Sequence, residues 1–144
     1  MSKEIPIGVA LIICDRVITD AMTHEKTLVG TFHQLTSFVF PCILPRLTVF
    51  VGVSNGRGYI NTEVRCINET EQNTTVFAMK GVIPFNNPND TIEMGFQFHN
   101  TQFQKPGVHA IHLLCEGNLI LQRRFTLIKA NPPMPPFQPT SAPS

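Results

Sequence analysis

The chain has 144 residues and a mass of 16.1 kDa, which is the size of one domain. Hydrophobic residues make up 42% of it and charged residues only 15%, a composition typical of a globular protein with a mostly uncharged surface. The formal net charge of +1 argues against a nucleic-acid partner. No apolar run approaches the roughly 18 residues that span a bilayer, so no membrane partner is expected either.

The N-terminal part of the chain contains an apolar run over residues 5–14. Glu4 and Pro6 interrupt the pattern of a signal peptide, and the run continues directly into Asp15. We therefore interpret residues 8–14 as a buried central strand and expect a cytoplasmic protein that starts at or near its first residue.

Alternation of apolar and polar side chains, which is typical of a half-buried strand, dominates the rest of the chain. Residues 92–98 show it most clearly, with Phe96 and Phe98 on the apolar side. In residues 46–54 Phe50 lies between the alternating apolar positions, so both faces of this strand are expected to be covered. The strands predicted in chain order span residues 8–14, 27–35, 46–54, 57–68, 76–79, 92–98, 107–115 and 119–128.

Turn-forming residues separate these strands. Asn55-Gly56 is the strongest hairpin signal, because a type I′ turn needs positive φ at both central residues, and it predicts that the flanking strands pair. The Glu-Gly-Asn sequence at 116–118 predicts a second hairpin. The segment Pro41–Pro45 is expected to be a stiff connection outside any sheet. The Pro- and Asn-rich residues 84–90 are expected to cross between sheets.

These features predict an all-β fold, a single antiparallel β-sandwich of the immunoglobulin-like (Ig-like) type with about eight strands, over residues 1–130. A closed barrel is the alternative, and no window has the periodicity of a helix. Residues 131–144 hold six of the 12 prolines and are expected to form an extended, flexible tail.

The proline-rich tail offers a candidate for docking to a protein partner. Lys129, Pro132 and Pro135 match the spacing of a ligand of SH3 domains, and Phe137 follows them. The simpler interpretation of this composition is a solvated tail without a binding role.

The cysteines are scattered, and no Cys-x-x-Cys pair is present. Cys14, Cys66 and Cys115 fall on or beside apolar strand faces, where a free cysteine usually packs as a small hydrophobic side chain. A structural zinc site needs ligands two to four residues apart, so neither a metal nor a cofactor is expected. A Cys-His-Asp catalytic set that includes Asp15 can be assembled on paper, but no spacing supports it, and we predict that the protein is not an enzyme.

Two histidines lie three positions apart on the strand predicted at 107–115. Because side chains alternate along a strand, His109 and His112 face opposite sides and cannot share a metal. His109 shares its parity with Ile111 and Leu113, so it is expected on the core side.

Asp15 follows a fully apolar run, and a carboxylate at the end of a buried strand needs a partner. Arg123 is the candidate, because its parity with Phe125 and Leu127 places it on an apolar face. On that face, either a β-bulge turns the side chain of Arg123 away from the core or an acidic side chain pairs with it. We expect a structural ion pair of Asp15 with Arg123 or Arg124, and the alternative is the binding of an anionic ligand at this position.

Several strand and turn segments together resemble a known family. They are Leu11-Ile-Ile-Cys-Asp-Arg-Val17, Thr27-Leu-Val-Gly-Thr-Phe32, Phe40-Pro41, Leu44-Pro-Arg-Leu-Thr-Val49 and Pro106-Gly-Val-His-Ala-Ile-His-Leu-Leu-Cys-Glu-Gly117. Over residues 8–128 the chain resembles an uncharacterised family of small bacterial proteins, in which a longer aromatic residue more often stands where this chain has His109. The resemblance implies a β-sandwich in a bacterial or phage-related setting and lends no catalytic residues.

The sequence favours a non-enzymatic protein-interaction or assembly module, because it has no catalytic constellation, few charges and a proline-rich C-terminal segment. A protein partner or self-association is expected. The alternative is a domain that binds a small ligand through loops near Asp15. A pocket that holds Asp15 and an arginine would favour this alternative, whereas a flat apolar patch would favour the interaction module.

Overall fold

The computed structural model describes residues 3–131. This part of the chain consists of strands and their connections and contains no helix, so the all-β prediction is confirmed. None of these residues therefore belongs to a helix long and apolar enough to cross a membrane. The strands are β1 (Ile7–Cys14), β2 (Arg16–Thr19), β3 (Lys26–Val29), β4 (Gln34–Ser37), β5 (Cys42–Ser54), β6 (Gly58–Asn68), β7 (Thr74–Phe85), β8 (Thr91–Phe103), β9 (Gly107–Cys115) and β10 (Asn118–Lys129).

The ten strands form three sheets. The first has the order β1-β5-β8, the second has the order β4-β10-β9-β6-β7, and the third pairs β2 with β3. All pairings are antiparallel except that of β4 with β10. The predicted number of eight strands is too low, because residues 16–37 form three short strands where the pattern indicated one. Gly30, with a φ of 70°, turns the chain away at the end of β3.

The two larger sheets share one hydrophobic core. Residues 47–53 of β5 are buried on both faces, as predicted. The alternating side chains of Ile60, Val64 and Cys66 contribute to the same core from β6, which also confirms the predicted alternation there. At one end of the core, aromatic rings from β8, β9 and β10 contact one another.

β1 is an edge strand, which corrects its interpretation as a central strand. Within its sheet it pairs only with β5. Its inward side chains Leu11 and Ile13 are buried, whereas Ile7 and Val9 are exposed. The strand is apolar partly because β10 packs closely against it, so closely that a side chain at position 8 would collide with Leu121.

Asn55-Gly56 lies in the short connection between β5 and β6, but the predicted pairing of the strands around it is wrong. Of the two residues, only Asn55 has positive φ (61°), so the turn is not of type I′. β5 lies in the first sheet and β6 in the second. A short connection does not determine the partner of a strand, and here β1 and β8 already occupy both sides of β5.

Two other predicted connections are confirmed. The turn at 116–118 joins β9 and β10, which pair antiparallel, and both Glu116 and Gly117 have positive φ. The segment 84–90 leads from β7 in the second sheet to β8 in the first, so it crosses between sheets.

The segment Pro41–Pro45 was expected outside any sheet, and this prediction is wrong because β5 begins at Cys42 and includes Pro45. The pairing of β1 with β5 ends at Cys14 and Thr48, so residues 42–47 pair only with β8. On the open side of such an edge, the missing N–H of proline breaks no ladder hydrogen bond.

Candidate functional site

Asp15 forms a bidentate ion pair with Arg46. Its Oδ1 atom accepts a hydrogen bond from Nε of Arg46 at 3.0 Å, and its Oδ2 atom accepts one from Nη2 at 2.7 Å. This planar fork is the strongest geometry for a pair of this kind. Both carboxylate oxygens are therefore occupied by the same guanidinium.

The predicted pairing of Asp15 with Arg123 or Arg124 is wrong. Nε of Arg124 donates to the carboxylate of Glu69 at 2.9 Å, and Nη1 of Arg123 donates to a backbone oxygen of β1 at 3.4 Å. The reason is topological. Arg46 lies on β5, which pairs with β1 close to Asp15, whereas both other arginines lie on β10 in the other sheet.

The Asp15–Arg46 pair lines a cleft of about 710 Å³, together with His99 and with apolar side chains that include Phe32 and Leu44. The hydrogen bonds from Arg46 hold the pKa of the Asp15 carboxyl below its usual range, and Asp15 in turn raises the pKa of Arg46. Because Asp15 is ionised and fully engaged, it is poorly suited to act as a base. The cleft can receive an apolar group or an anion that approaches Arg46.

Replacing Asp15 with asparagine is expected to lower the melting temperature by at most a few degrees at neutral pH, because the pair is partly exposed. Since pairing lowers the folded-state pKa of Asp15, its contribution is present above about pH 4 and is lost as the pH falls through the folded-state value. Melting curves of both proteins from pH 7 to pH 2 test this. An equal difference across the whole range would show that the ion pair contributes nothing.

The cysteines predicted on apolar faces, Cys14, Cys66 and Cys115, are all buried, which confirms their placement. Burial raises the pKa of each of these thiols, most strongly that of Cys66. They therefore remain protonated and unreactive at neutral pH. Within residues 3–131, no group of three or more His, Cys, Asp or Glu side chains is arranged to hold a metal ion.

His109 is fully buried, as its predicted core position requires. Its ring stacks on Phe125 with centroids 5.2 Å apart and meets Phe103 edge-on at 5.3 Å. Nδ1 lies 3.0 Å from the carbonyl oxygen of Gly107, which can only accept, so Nδ1 carries the proton. Burial lowers the pKa of His109, and the ring is therefore neutral at pH 7.

The second ring nitrogen of His109, Nε2, is an acceptor without a hydrogen-bond partner among the described residues. Leaving such a buried polar atom unpaired costs about 1–3 kcal/mol. A phenylalanine at this position would fill similar space without that cost. The unpaired Nε2 therefore marks His109 as a residue whose role is not explained by packing alone.

A network of hydrogen bonds holds the loop that precedes His109. The side-chain amide of Asn68 donates to the backbone oxygens of Lys105 and Pro106, each at 3.4 Å. The hydroxyl oxygen of Thr70 accepts a hydrogen bond from the backbone N–H of Val108 at 2.9 Å. These contacts fix the backbone at Gly107 and thus the carbonyl that orients the imidazole.

His109 also lines a cleft of about 730 Å³ between β7 and β8, hereafter the β7–β8 cleft. These strands are the neighbouring edges of the two larger sheets, so no other strand of residues 3–131 closes this side of the core. The rings of Phe77 on β7 and Phe98 on β8 contact each other within it, with centroids 4.2 Å apart. Glu71 and Lys105 lie at its rim and bring one charge of each sign.

An exposed apolar patch lies at another edge of the second sheet, hereafter the β4–β5 patch. It consists of four side chains with exposed fractions of 49% for Phe38, 68% for Val39, 58% for Ile43 and 37% for Ile128. Phe38 and Val39 follow β4, Ile43 is the second residue of β5, and Ile128 pairs with Thr36 of β4. Four large exposed apolar side chains therefore stand on or beside the paired ends of β4 and β10 and at the start of β5.

The chain leaves the described part of the fold beside the β4–β5 patch, since the N–H of Ala130 donates to the backbone oxygen of Ser37 at 3.0 Å. Lys129, the first residue of the predicted docking motif, is exposed at the end of β10. The other predicted docking residues, Pro132, Pro135 and Phe137, lie outside the described residues.

Neither the β7–β8 cleft nor the β4–β5 patch was identified from the sequence. Phe77 and Phe98 are both visible in the alternating pattern, but alternation does not reveal that β7 and β8 are adjacent edges. Phe38 and Val39 were not assigned to any strand, and the apolar run 38–40 directly before Pro41 was the only signal that could have pointed to them.

Comparison with known proteins gives a family match and a weak structural likeness. The model of the family of unknown function DUF6941 matches residues 9–128. No protein of curated function matches the sequence. Among solved structures, the chain is similar to a Pseudomonas fluorescens alkylpurine DNA glycosylase bound to DNA with an abasic site analogue, at 12% identity and a TM-score of 0.43. That match covers 66% of this chain and 27% of the glycosylase, and it carries no argument about function.

Proposed function

This chain belongs to DUF6941, a family of unknown function. We propose that it is a non-enzymatic protein-interaction module whose docking surface is the β4–β5 patch. The observation that carries the proposal is the exposure of Phe38, Val39, Ile43 and Ile128, which stand directly after β4, at the start of β5 and near the end of β10. Contiguous exposed apolar side chains mark surfaces that proteins cover in a complex.

The surroundings of the β4–β5 patch support a protein partner. β4 is an edge of the second sheet, so the patch adjoins backbone groups that pair with no further strand among residues 3–131. Lys129 is the charged residue at the end of β10 beside it. An apolar surface with few charges fits a partner with a similar apolar patch, and a second copy of this chain meets that requirement as well.

The double variant Val39→Glu with Ile43→Lys is expected to weaken partner binding at least about tenfold, because it places two charges on the most exposed apolar side chains of the proposed surface. The partner is recovered from lysate of the host, identified by mass spectrometry, purified and titrated against both proteins. Sedimentation of the purified chain in the same series measures self-association. Since both positions are more than half exposed, the melting temperature is expected to change little.

The matched control is Met22→Lys, which changes an 89% exposed apolar residue in the turn between β2 and β3. It is expected to leave binding and self-association unchanged. A chain that ends at Ala130 tests separately whether the proline-rich residues contribute to docking. Binding that is unaffected by the double variant would overturn the proposal, whatever the shortened chain does.

A small-ligand domain that uses the cleft near Asp15 is the second candidate function. The observation that favours it is the cleft of about 710 Å³ in which Asp15 and Arg46 meet apolar side chains. The ligand would be a small anion with an apolar part, which Arg46 would bind. Arg46→Gln is expected to abolish the binding of such a ligand and to leave the interaction at the β4–β5 patch intact.

Two broader assignments accompany the proposal. We place the protein in the cytoplasm, which is supported by four free cysteines, a number that oxidising compartments rarely leave unpaired. We also propose that the fold is an Ig-like sandwich, which is supported by the core that the two larger sheets share. The bacterial origin implied by the family resemblance stays a prediction.

A further inference from the structure

A small apolar pocket adjoins the β4–β5 patch, hereafter the β4 pocket. Two hydroxyl-bearing residues of β4 contribute to its walls, and the other residues that line it are Leu35, Phe40, Cys42, Ile43, Leu44 and Leu127. Ile43 also belongs to the patch, so pocket and patch meet there. The volume of about 190 Å³ is below the roughly 300–1,000 Å³ of sites for small molecules. Size and lining therefore suit one large apolar side chain of a polypeptide.

The C-terminal segment of the chain starts at the rim of this pocket. Leu127 and Leu35 both line the pocket and pair with each other across β10 and β4. Three residues further on, the N–H of Ala130 donates to the backbone oxygen of Ser37, which also lines the pocket. Residues 132–144, which lie outside the described residues, are therefore attached directly beside it.

The composition of residues 132–144 selects the side chain that fits. Their large apolar residues are Met134 and Phe137, and prolines without an N–H stand on both sides of each, so the segment is poorly suited to pair with β4 as a further strand. A β-turn takes four residues. A chain that reverses in such a turn from Ala130 is level with Leu127 again at residues 136 and 137, whereas Met134 has only just left the turn.

We propose that the side chain of Phe137 occupies the β4 pocket of its own chain, so that the C-terminal segment covers the adjoining edge of the β4–β5 patch. The tether gives Phe137 an effective concentration in the millimolar range, far above that of any copy in dilute solution. A partner of the β4–β5 patch then has to displace Phe137, so the contact regulates docking. This regulatory role rests on the proposed function, whereas occupancy of the pocket does not.

Cys42 reports on the β4 pocket without any partner. It is partly buried and lines the pocket, whereas the other three cysteines are buried, so a thiol reagent is expected to reach Cys42 first. The test measures the rate at which dithiobis(2-nitrobenzoate) modifies Cys42 in the full-length protein, with the modified residue identified by mass spectrometry. Phe137→Ala is expected to raise this rate at least about tenfold, because it removes the ring that fills the pocket. The matched control, Gln138→Ala, changes the neighbouring residue and is expected to keep the natural rate.

A second measurement on the natural protein is the nuclear Overhauser effect between the ring of Phe137 and the methyl groups of Leu127, which is expected to be observed. Dilution identifies the occupant, because protection of Cys42 by its own chain does not depend on protein concentration. Equal rates for the natural protein and Phe137→Ala, absence of the Overhauser contact, or protection that falls on dilution, as a second copy would cause, would each overturn the proposal.

Titration of the partner separates this inference from the proposed function. Phe137→Ala is expected to tighten partner binding at the β4–β5 patch about tenfold, since the partner no longer competes with the ring. Unchanged affinity would overturn the regulatory role. If the double variant Val39→Glu with Ile43→Lys leaves partner binding intact, the proposed function fails, while the rate of Cys42 modification still decides whether Phe137 occupies the pocket.

Discussion

Replacement of Phe125 by alanine is expected to lower the free energy of unfolding by about 3–5 kcal/mol, the usual range for deleting a fully buried ring. Phe125 is only 1% exposed. Its ring meets Phe32 edge-on at 5.9 Å and Phe103 edge-on at 6.0 Å, and it stacks on His109 at 5.2 Å. The variant therefore loses the burial of one ring and leaves three others around a cavity.

Chemical denaturation of the natural protein and of the Phe125→Ala variant measures this difference. The control is Phe38→Ala, which removes the same side chain from a half-exposed position in the β4–β5 patch and is expected to change the free energy of unfolding by less than about 0.5 kcal/mol. A decrease in the free energy of unfolding below about 1 kcal/mol for Phe125→Ala would contradict the packing of this aromatic cluster. The side chains around a deleted ring relax only partly into the cavity it leaves.

Gly107→Ala is expected to lower the free energy of unfolding by about 3 kcal/mol or more. The φ of Gly107 is 134°, a conformation that residues with a Cβ rarely adopt. A Cβ atom there would also lie 2.6 Å from Cβ of Thr70, so the loop must shift. That shift disturbs the hydrogen bond from Val108 to Thr70 and moves the carbonyl that holds Nδ1 of His109.

Gly117→Ala separates the two causes of the Gly107 effect. Gly117 also has positive φ, at 79°, but no atom lies within 4 Å of the position of its missing Cβ. Its replacement is expected to cost only about 1–2 kcal/mol, which is the backbone strain alone. Denaturation of both variants measures the comparison. Equal costs would show that the contact with Thr70 is unimportant and that the loop before His109 adapts freely.

Local patterns predicted much of the secondary structure and some of the candidate site. Alternation placed His109 and Cys115 on buried faces, and turn chemistry located the β9–β10 hairpin at 116–118. These predictions rest on neighbours in the chain, because strand geometry sends successive side chains to opposite faces. The same reasoning could not reveal that Nε2 of His109 lacks a partner, since that depends on every side chain that surrounds the ring.

Most of the wrong predictions concern which strands lie side by side. Asp15 pairs with Arg46 of the adjacent strand, not with an arginine of β10, and Asn55-Gly56 joins strands of different sheets. In the same way, β1 is apolar without being central. Periodicity carries no information about the neighbour of a strand, so the partner of a charged side chain cannot be derived from it.

The sequence by itself determined that the chain is all-β, which residues face the core and where one hairpin turns, because these properties follow from backbone geometry over a few residues. Only the tertiary structure decided which edges stay open. It brought β7 beside β8 around His109, set Arg46 against Asp15 and left Phe38 and Val39 exposed near the end of β10. The physical reason is that strand pairing and core packing are satisfied jointly over the whole chain, so clefts and patches form where that shared packing ends.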